Sequence, residues 1–204
     1  MSEKRRALVS LILTVAVFGI VACAKLPQAG IDQAEVALAG AGDAEAAVYA
    51  QTEWEGAQQA MNAAKAEVER QNAKFVLVRS YKKAETLLAD ARASAETAKQ
   101  AAIDGKEAVR LRVEGAVAAI EAGLTGASDH LNALQNCRKR PKGFAADLEM
   151  LRGNTEGLVA QLGVITSATD AERYSEAETM AQELQGQIDA LLADLESARA
   201  KLGC

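Results

Sequence analysis

The side chains best suited to covalent or metal chemistry are few: Cys23, Cys137, Cys204 and a single histidine, His130. A zinc site needs cysteine and histidine ligands a few residues apart, and a nucleophile needs a base brought beside it. These four residues lack that spacing. His130 sits near the apolar positions Ala127 and Leu131, with no second histidine and no cysteine at ligand spacing. It reads as a half-buried helix residue rather than a base or ligand. The paired carboxylates Glu67/Glu69 and Asp194/Glu196 read as solvated helix faces. No glycine-rich phosphate loop, nucleophile elbow or metal signature occurs in the sequence. The expectation is a chain with no catalytic residue, no metal and no cofactor, hence not an enzyme.

Cys23 has a different context. Lys4, Arg5 and Arg6 form a positive start, and Ala7 to Val21 follow without a charge. That is the layout of an export signal over residues 1–22. About 15 apolar residues are too few for the roughly 20 that span a bilayer. The segment Ile20-Val21-Ala22-Cys23 resembles a bacterial lipobox, with Ile20 where leucine is usual. The resemblance implies that Cys23 is acylated and becomes the new N-terminus. Each buried methylene contributes about 0.8 kcal/mol, so several chains hold a soluble domain at a membrane. Ala24, a residue other than Asp, implies by the same resemblance sorting to the outer membrane, on its periplasmic face.

The elements that follow are helical. Half of the residues are apolar but only 3% are aromatic, and the chain has two prolines. Abundant Ala, Glu, Leu, Gln and Lys favour long helices with thin seams. The formal charge is −5, and the mature part comes near −7 because the leader takes away a net +2. An acidic chain of this kind argues against a nucleic-acid partner.

Residues 23–30 read as a lipidated tether broken by Pro27 and Gly30. A short helix is expected from Ile31 to Ala39, ending at Gly40-Ala41-Gly42, with Asp43 as the next N-cap. Thr52 and Glu55 match a capping box that opens a helix to about Arg70, with Trp54 as a packing plug beside it. A turn at Gln71–Lys74 precedes a heptad seam made mostly of alanine, from Tyr81, Ala84, Leu88 and Ala91 through Ala102 to Leu131 and Leu134. Gly105, Gly115, Gly123 and Gly126 weaken this helix without breaking it, so one long bent helix is expected.

Arg138 to Lys142, with Pro141, marks a boundary. Its cations could contact anionic lipid heads or peptidoglycan carboxylates, but a basic helix terminus accounts for them as well. A hairpin follows: one seam from Phe144 to Ile165, then a second from Tyr174 to Leu202 closed by Gly203. Thr169 and Glu172 match a second capping box. The stretches after Ser80 and after Arg173 resemble each other, each placing a tyrosine, Tyr81 or Tyr174, as a plug at a hairpin end. The fold expected is all-α: long antiparallel helical hairpins in an elongated bundle, with residues 31–137 as one domain and 138–204 as a C-terminal hairpin.

Ala47-Val48-Tyr49-Ala50, the Trp54, Ala57, Ala60, Ala64 series and Tyr81 through Ala89 resemble a helical domain of unknown function. That domain occurs in Gram-negative envelope lipoproteins, often ahead of OmpA-like domains. Gln51 stands where the family commonly has proline. The resemblance covers about a third of the chain, from Ala34 to Ala102, and implies a periplasmic helical hairpin with no assigned activity.

Export would put Cys137 and Cys204 in an oxidising compartment, and acylation of Cys23 leaves them as an even pair. Both lie towards one end of the expected bundle. A last helix of about 33 residues against about 26 before it would let Cys204 overshoot by about 10 Å unless a turn or bend closed the gap. The pair is a disulfide candidate. In sum, the sequence predicts a lipid-anchored structural or interaction protein of the envelope. Its partners are the membrane and, as further candidates, another envelope protein or peptidoglycan. The alternative is a periplasmic binding or chaperone-like module holding a hydrophobic or peptide ligand between helices, which needs a cavity.

Overall fold

The structure, a computed structural model, describes residues 25–204; the leader and Cys23 lie outside the described residues. Of these residues 86% are helical, in six α-helices and one 3-10 turn, with no strand among them. The helices are α1 (Gln28–Asp43), α2 (Ala46–Tyr49), α3 (Gln51–Asn72), α4 (Lys82–Gln135), α5 (Phe144–Asp170) and α6 (Tyr174–Leu202), with the 3-10 turn at Val76–Val78. The all-α helical bundle expected from the three-and-four spacing is the fold. Helix α4 is one 54-residue span that carries its four glycines without a break. The chain divides into two compact units within α4: unit 1 ends at Ile103 and unit 2 runs from Asp104 to Cys204. The division thus falls inside the long helix, upstream of the basic Arg138–Lys142 segment.

In unit 1, α1 and α3 pack onto the first half of α4. An added Cβ on Gly30 would touch Leu88, and one on Gly40 would touch Lys99, so α1 runs alongside α4 in the same direction. Helix α3 returns the other way through the loop at residues 73–81. The core is two clusters. One gathers Ala34, Met61, Ala64, Val68, Tyr81, Ala84, Leu88 and Ala91; the other is alanine throughout, from Ala41, Ala46, Ala50 and Ala57 to Ala95, Ala98 and Ala102. Alanine lets helices approach closely because no longer side chain stands between the backbones.

Unit 2 is built from the rest of α4 with α5 and α6. Its core uses larger side chains: Ile120, Leu131, Leu134, Leu158, Ile165, Leu184, Ile188 and Leu195 are all buried. Gly123 is the point of closest approach, where an added Cβ would lie 2.6 Å from Cγ2 of Ile188.

Several local expectations are corrected. Helix α1 is longer than Ile31–Ala39: it absorbs Gly40 and Gly42, against which Lys99 and the Trp54 ring pack, and Asp43 is its last residue rather than an N-cap. Thr52 is not a cap. The Ala50 carbonyl already accepts the Trp54 N–H, so α3 starts at Gln51, and Gln51 rather than Thr52 bonds the Glu55 carboxylate. Thr169 is not a cap either, because α5 runs through it to Asp170 and its hydroxyl donates back to the Ile165 carbonyl. The turn that follows is a helix C-cap: Arg173 N–H reaches Ala168 and Glu172 N–H reaches Thr169, with Glu172 in the left-handed region at φ 57°.

Candidate functional site

Three places in the described chain concentrate chemistry: the end where Cys137 and Cys204 meet, the polar pairs along α4, and the loop joining α3 to α4.

Cys137 and Cys204 form a disulfide with Cα atoms 5.7 Å apart. The expected overshoot is absent because α5 and α6 have nearly equal lengths, 27 and 29 residues. The end of α6 also turns inward. Gly203 takes φ 72°, and the Gly203 and Cys204 N–H groups return to the Ala200 and Arg199 carbonyls. Only a residue without a Cβ adopts that conformation at no cost. Cys137 is buried and follows the last turn of α4.

His130 is half-buried, with Nδ1 2.9 Å from the Arg199 guanidinium. Arginine can only donate, so Nδ1 accepts and the proton of the neutral ring sits on Nε2. No group of three metal-ligating side chains occurs among the described residues. In the basic segment, Arg140 donates to the Gln135 carbonyl at 2.9 Å and thereby caps the end of α4, while Arg138, Lys139 and Lys142 are exposed. Trp54 is half-buried against the alanine cluster, in the plug position.

Cations on α4 cross to α6 and the turn before it, or pair along their own helix. Lys106 meets Glu172 at 3.1 Å and lies 5.8 Å over the Tyr174 ring, and Arg112 meets Glu178 at 2.6 Å. Arg110 bonds both Glu107 and Glu114; its hydrogen bonds from the guanidinium hold the Glu107 carboxyl below its ordinary range.

Glu67 corrects the sequence reading: its neighbour Glu69 is solvated, but Glu67 is 4% exposed. Gln71 donates to it at 2.7 Å, Arg70 pairs with it, and Lys83 lies 4.0 Å away. The Gln71 bond first, then the two cations, holds this carboxyl below the usual range against the opposing effect of burial.

The α3–α4 loop is longer than the expected four-residue turn. Its lower half is tied down: Arg79 donates to the Asn72 and Lys74 carbonyls at 2.8 and 3.0 Å, Ser80 N–H bonds Gln71, and Tyr81, buried, bonds Asn72 through its hydroxyl. Its upper half faces solvent. Phe75, Val76, Leu77 and Val78 are 72%, 45%, 65% and 67% exposed. Four consecutive large apolar side chains pointing outward are unusual on a soluble surface. The signal was present in the sequence as Phe-Val-Leu-Val, but a run of that kind reads equally as buried.

The grooves of unit 1 lie on its outer surface. One, about 690 Å³, runs beside the start of α1 and is bordered by Leu26, Pro27, Gln28, Glu85, Leu88 and Arg92. No described helix is long and apolar enough to cross a membrane. No protein-family model matches the sequence, and neither a curated protein nor a solved structure matches it.

Proposed function

We propose that this chain is a lipid-anchored, non-catalytic structural or interaction protein of the bacterial envelope, held at the outer membrane and facing the periplasm. The observation that carries the proposal is the charged start, apolar run and Ile20-Val21-Ala22-Cys23 ending of the leader. The surface chemistry agrees with it. His130 is engaged by Arg199, Glu67 by Gln71 and Arg70, Lys106 by Glu172 in the α5–α6 turn, and Arg112 by Glu178 on α6. His130, Lys106 and Arg112 are thus engaged across the bundle of unit 2, and Glu67 along its own helix. The binding or chaperone alternative gains nothing from the alanine cluster of unit 1, where Ala57, Ala95, Ala98 and Ala102 have no exposed surface. A ligand would have to part those helices.

Mass spectrometry of the protein from its native membrane tests the anchor. The expected product begins at an acylated Cys23 and lacks residues 1–22. A Cys23→Ser chain that is still processed and membrane-bound would refute it. In-cell crosslinking of the same lipoprotein then identifies which envelope component it contacts.

A further inference from the structure

We propose that the α3–α4 loop is a second membrane contact: Phe75, Val76, Leu77 and Val78 dip into the interface of the same bilayer that holds the acylated Cys23. The inference rests on the lipid anchor for its location and on three observations of the loop itself.

The first is shape. Arg79 and Tyr81 take the inward positions and fasten the loop to the end of α3, so the apolar side chains are held out by a braced turn. An apolar tip of one turn suits the shallow zone between headgroups and acyl chains, about 5–10 Å deep.

The second is charge. From Arg70 to Lys83 the sequence has Arg70, Lys74, Arg79, Lys82 and Lys83 and no acidic residue, in a chain whose net charge is −5. Lysines flanking an apolar tip lay their methylenes along the surface and place their ammonium groups among phosphates. Arg70 and Lys83 face Glu67 and Arg79 braces the loop, so exposed Lys74 and Lys82, on either side of the apolar tip, are the cations that an anionic lipid face would meet.

The third is position. Leu26 and Pro27 border the same groove as Glu85 and Leu88, one to two turns from where α4 begins at Lys82. The start of α1 therefore lies at the end of unit 1 that bears the loop. Two residues lie between Cys23 and Leu26, so at most about 11 Å of chain joins them. Anchor and tip can reach one plane.

The test uses the lipidated protein in phosphatidylglycerol vesicles that contain brominated lipid, which quenches tryptophan at short range. Native Trp54 is an internal control. It lies at the opposite end of α3, 18 residues from Asn72 and so about 27 Å away along the axis. Wild type should float with the vesicles and keep its Trp54 emission. A Trp54→Phe, Leu77→Trp chain should lose more than about half of its fluorescence and shift to shorter wavelength. Adding Phe75→Asp and Val78→Asp, at exposed positions that leave the helices intact by circular dichroism, should abolish both effects.

A chain that floats while the tryptophan at position 77 emits as in water overturns the proposal. So does a shifted emission that bromolipid leaves unquenched, since protein, including a second copy, would then cover the tip. A protein that does not float at all indicts the anchor. The chain is then mixed with the same vesicles at low salt, where quenching at position 77 still supports the tip and its absence sinks it.

Discussion

Unit 1 closes one of its two helix clusters with alanine alone, whereas unit 2 closes its seams mainly with leucine and isoleucine and adds a disulfide. The helical period is the same in both, but the packing consequences are opposite. Ala95, Ala98 and Ala102 have no exposed surface and pack in an all-alanine cluster. Leu184, Ile188 and Leu195 are equally buried and are among the largest fully buried side chains. Removing methylenes should therefore hurt unit 2, and adding them should hurt unit 1. The two tyrosines repeat the contrast: Tyr81 is buried and hydrogen-bonded in unit 1, and Tyr174 is half-buried under Lys106 in unit 2.

The sharpest break of the comparison is a pair of core substitutions. Ile188→Ala should cost about 2–5 kcal/mol, as large-to-small changes in cores do. Ala98→Leu should cost about 1–3 kcal/mol or more through overpacking. Hydrogen exchange should locate the first loss in unit 2 and the second in unit 1. The same loss for Ala98→Gly as for Ala98→Leu would mean that helix propensity, not close approach, governs the alanine seam.

The disulfide comes next. Cys204→Ser should lower stability by about 2–4 kcal/mol in urea unfolding, with the weakening confined to unit 2. Reductant should do the same to the wild type and nothing to the variant. Two reactive thiols in the unreduced protein would remove this difference between the units.

Glycine substitutions sharpen the contrast within unit 2. An alanine at Gly123 would put its Cβ 2.6 Å from Ile188, a stiff β-branched side chain, so the clash should outweigh the propensity gain of up to about 1 kcal/mol. Gly157→Ala on α5 meets nothing within 4 Å and should stabilise by about 0.4–1 kcal/mol. Thermal midpoints moving in opposite directions would establish the close approach; a rise in both would dismiss it.

The smallest expected effect concerns acid. The Glu67 carboxyl is lowered in the folded chain, so its stabilising contribution is present above the ordinary carboxylate range and is lost as pH falls through the lowered value. Glu107 of unit 2 follows the same sign, but its side chain is exposed and salt should screen its pairing with Arg110. Acid titrations at low and high salt should thus differ for unit 2 more than for unit 1. Glu67→Gln should flatten the acid limb of unit 1; an unchanged limb would remove Glu67 from the account.

What was legible in the sequence followed from the local period of the helix. Ala84, Leu88, Ala91, Ala95, Ala98 and Ala102 are buried where the seam predicts, and so are Ala177, Ala181, Leu184, Ile188, Leu191 and Leu195. A residue's face depends only on 3.6-residue geometry, so composition and spacing settled the fold class. Caps and charges were not legible in this way. Thr52 and Thr169 satisfy a local pattern, but whether a helix starts there depended on Ala50 packing into a core and on α5 running on to Asp170. Glu67 was separable from Glu69 in part, because Arg70 and Gln71 follow it at i+3 and i+4 on its own helix; its burial and the approach of Lys83 from α4 needed the packed structure. Phe75 to Val78 looked like any apolar run until Arg79 and Tyr81 occupied the inside of the loop. The meeting of Cys137 with Cys204 likewise needed two helices of nearly equal length and a left-handed Gly203. Periodicity is a property of one helix. Exposure, pairing and reach are properties of several helices together, so the tertiary structure decided them.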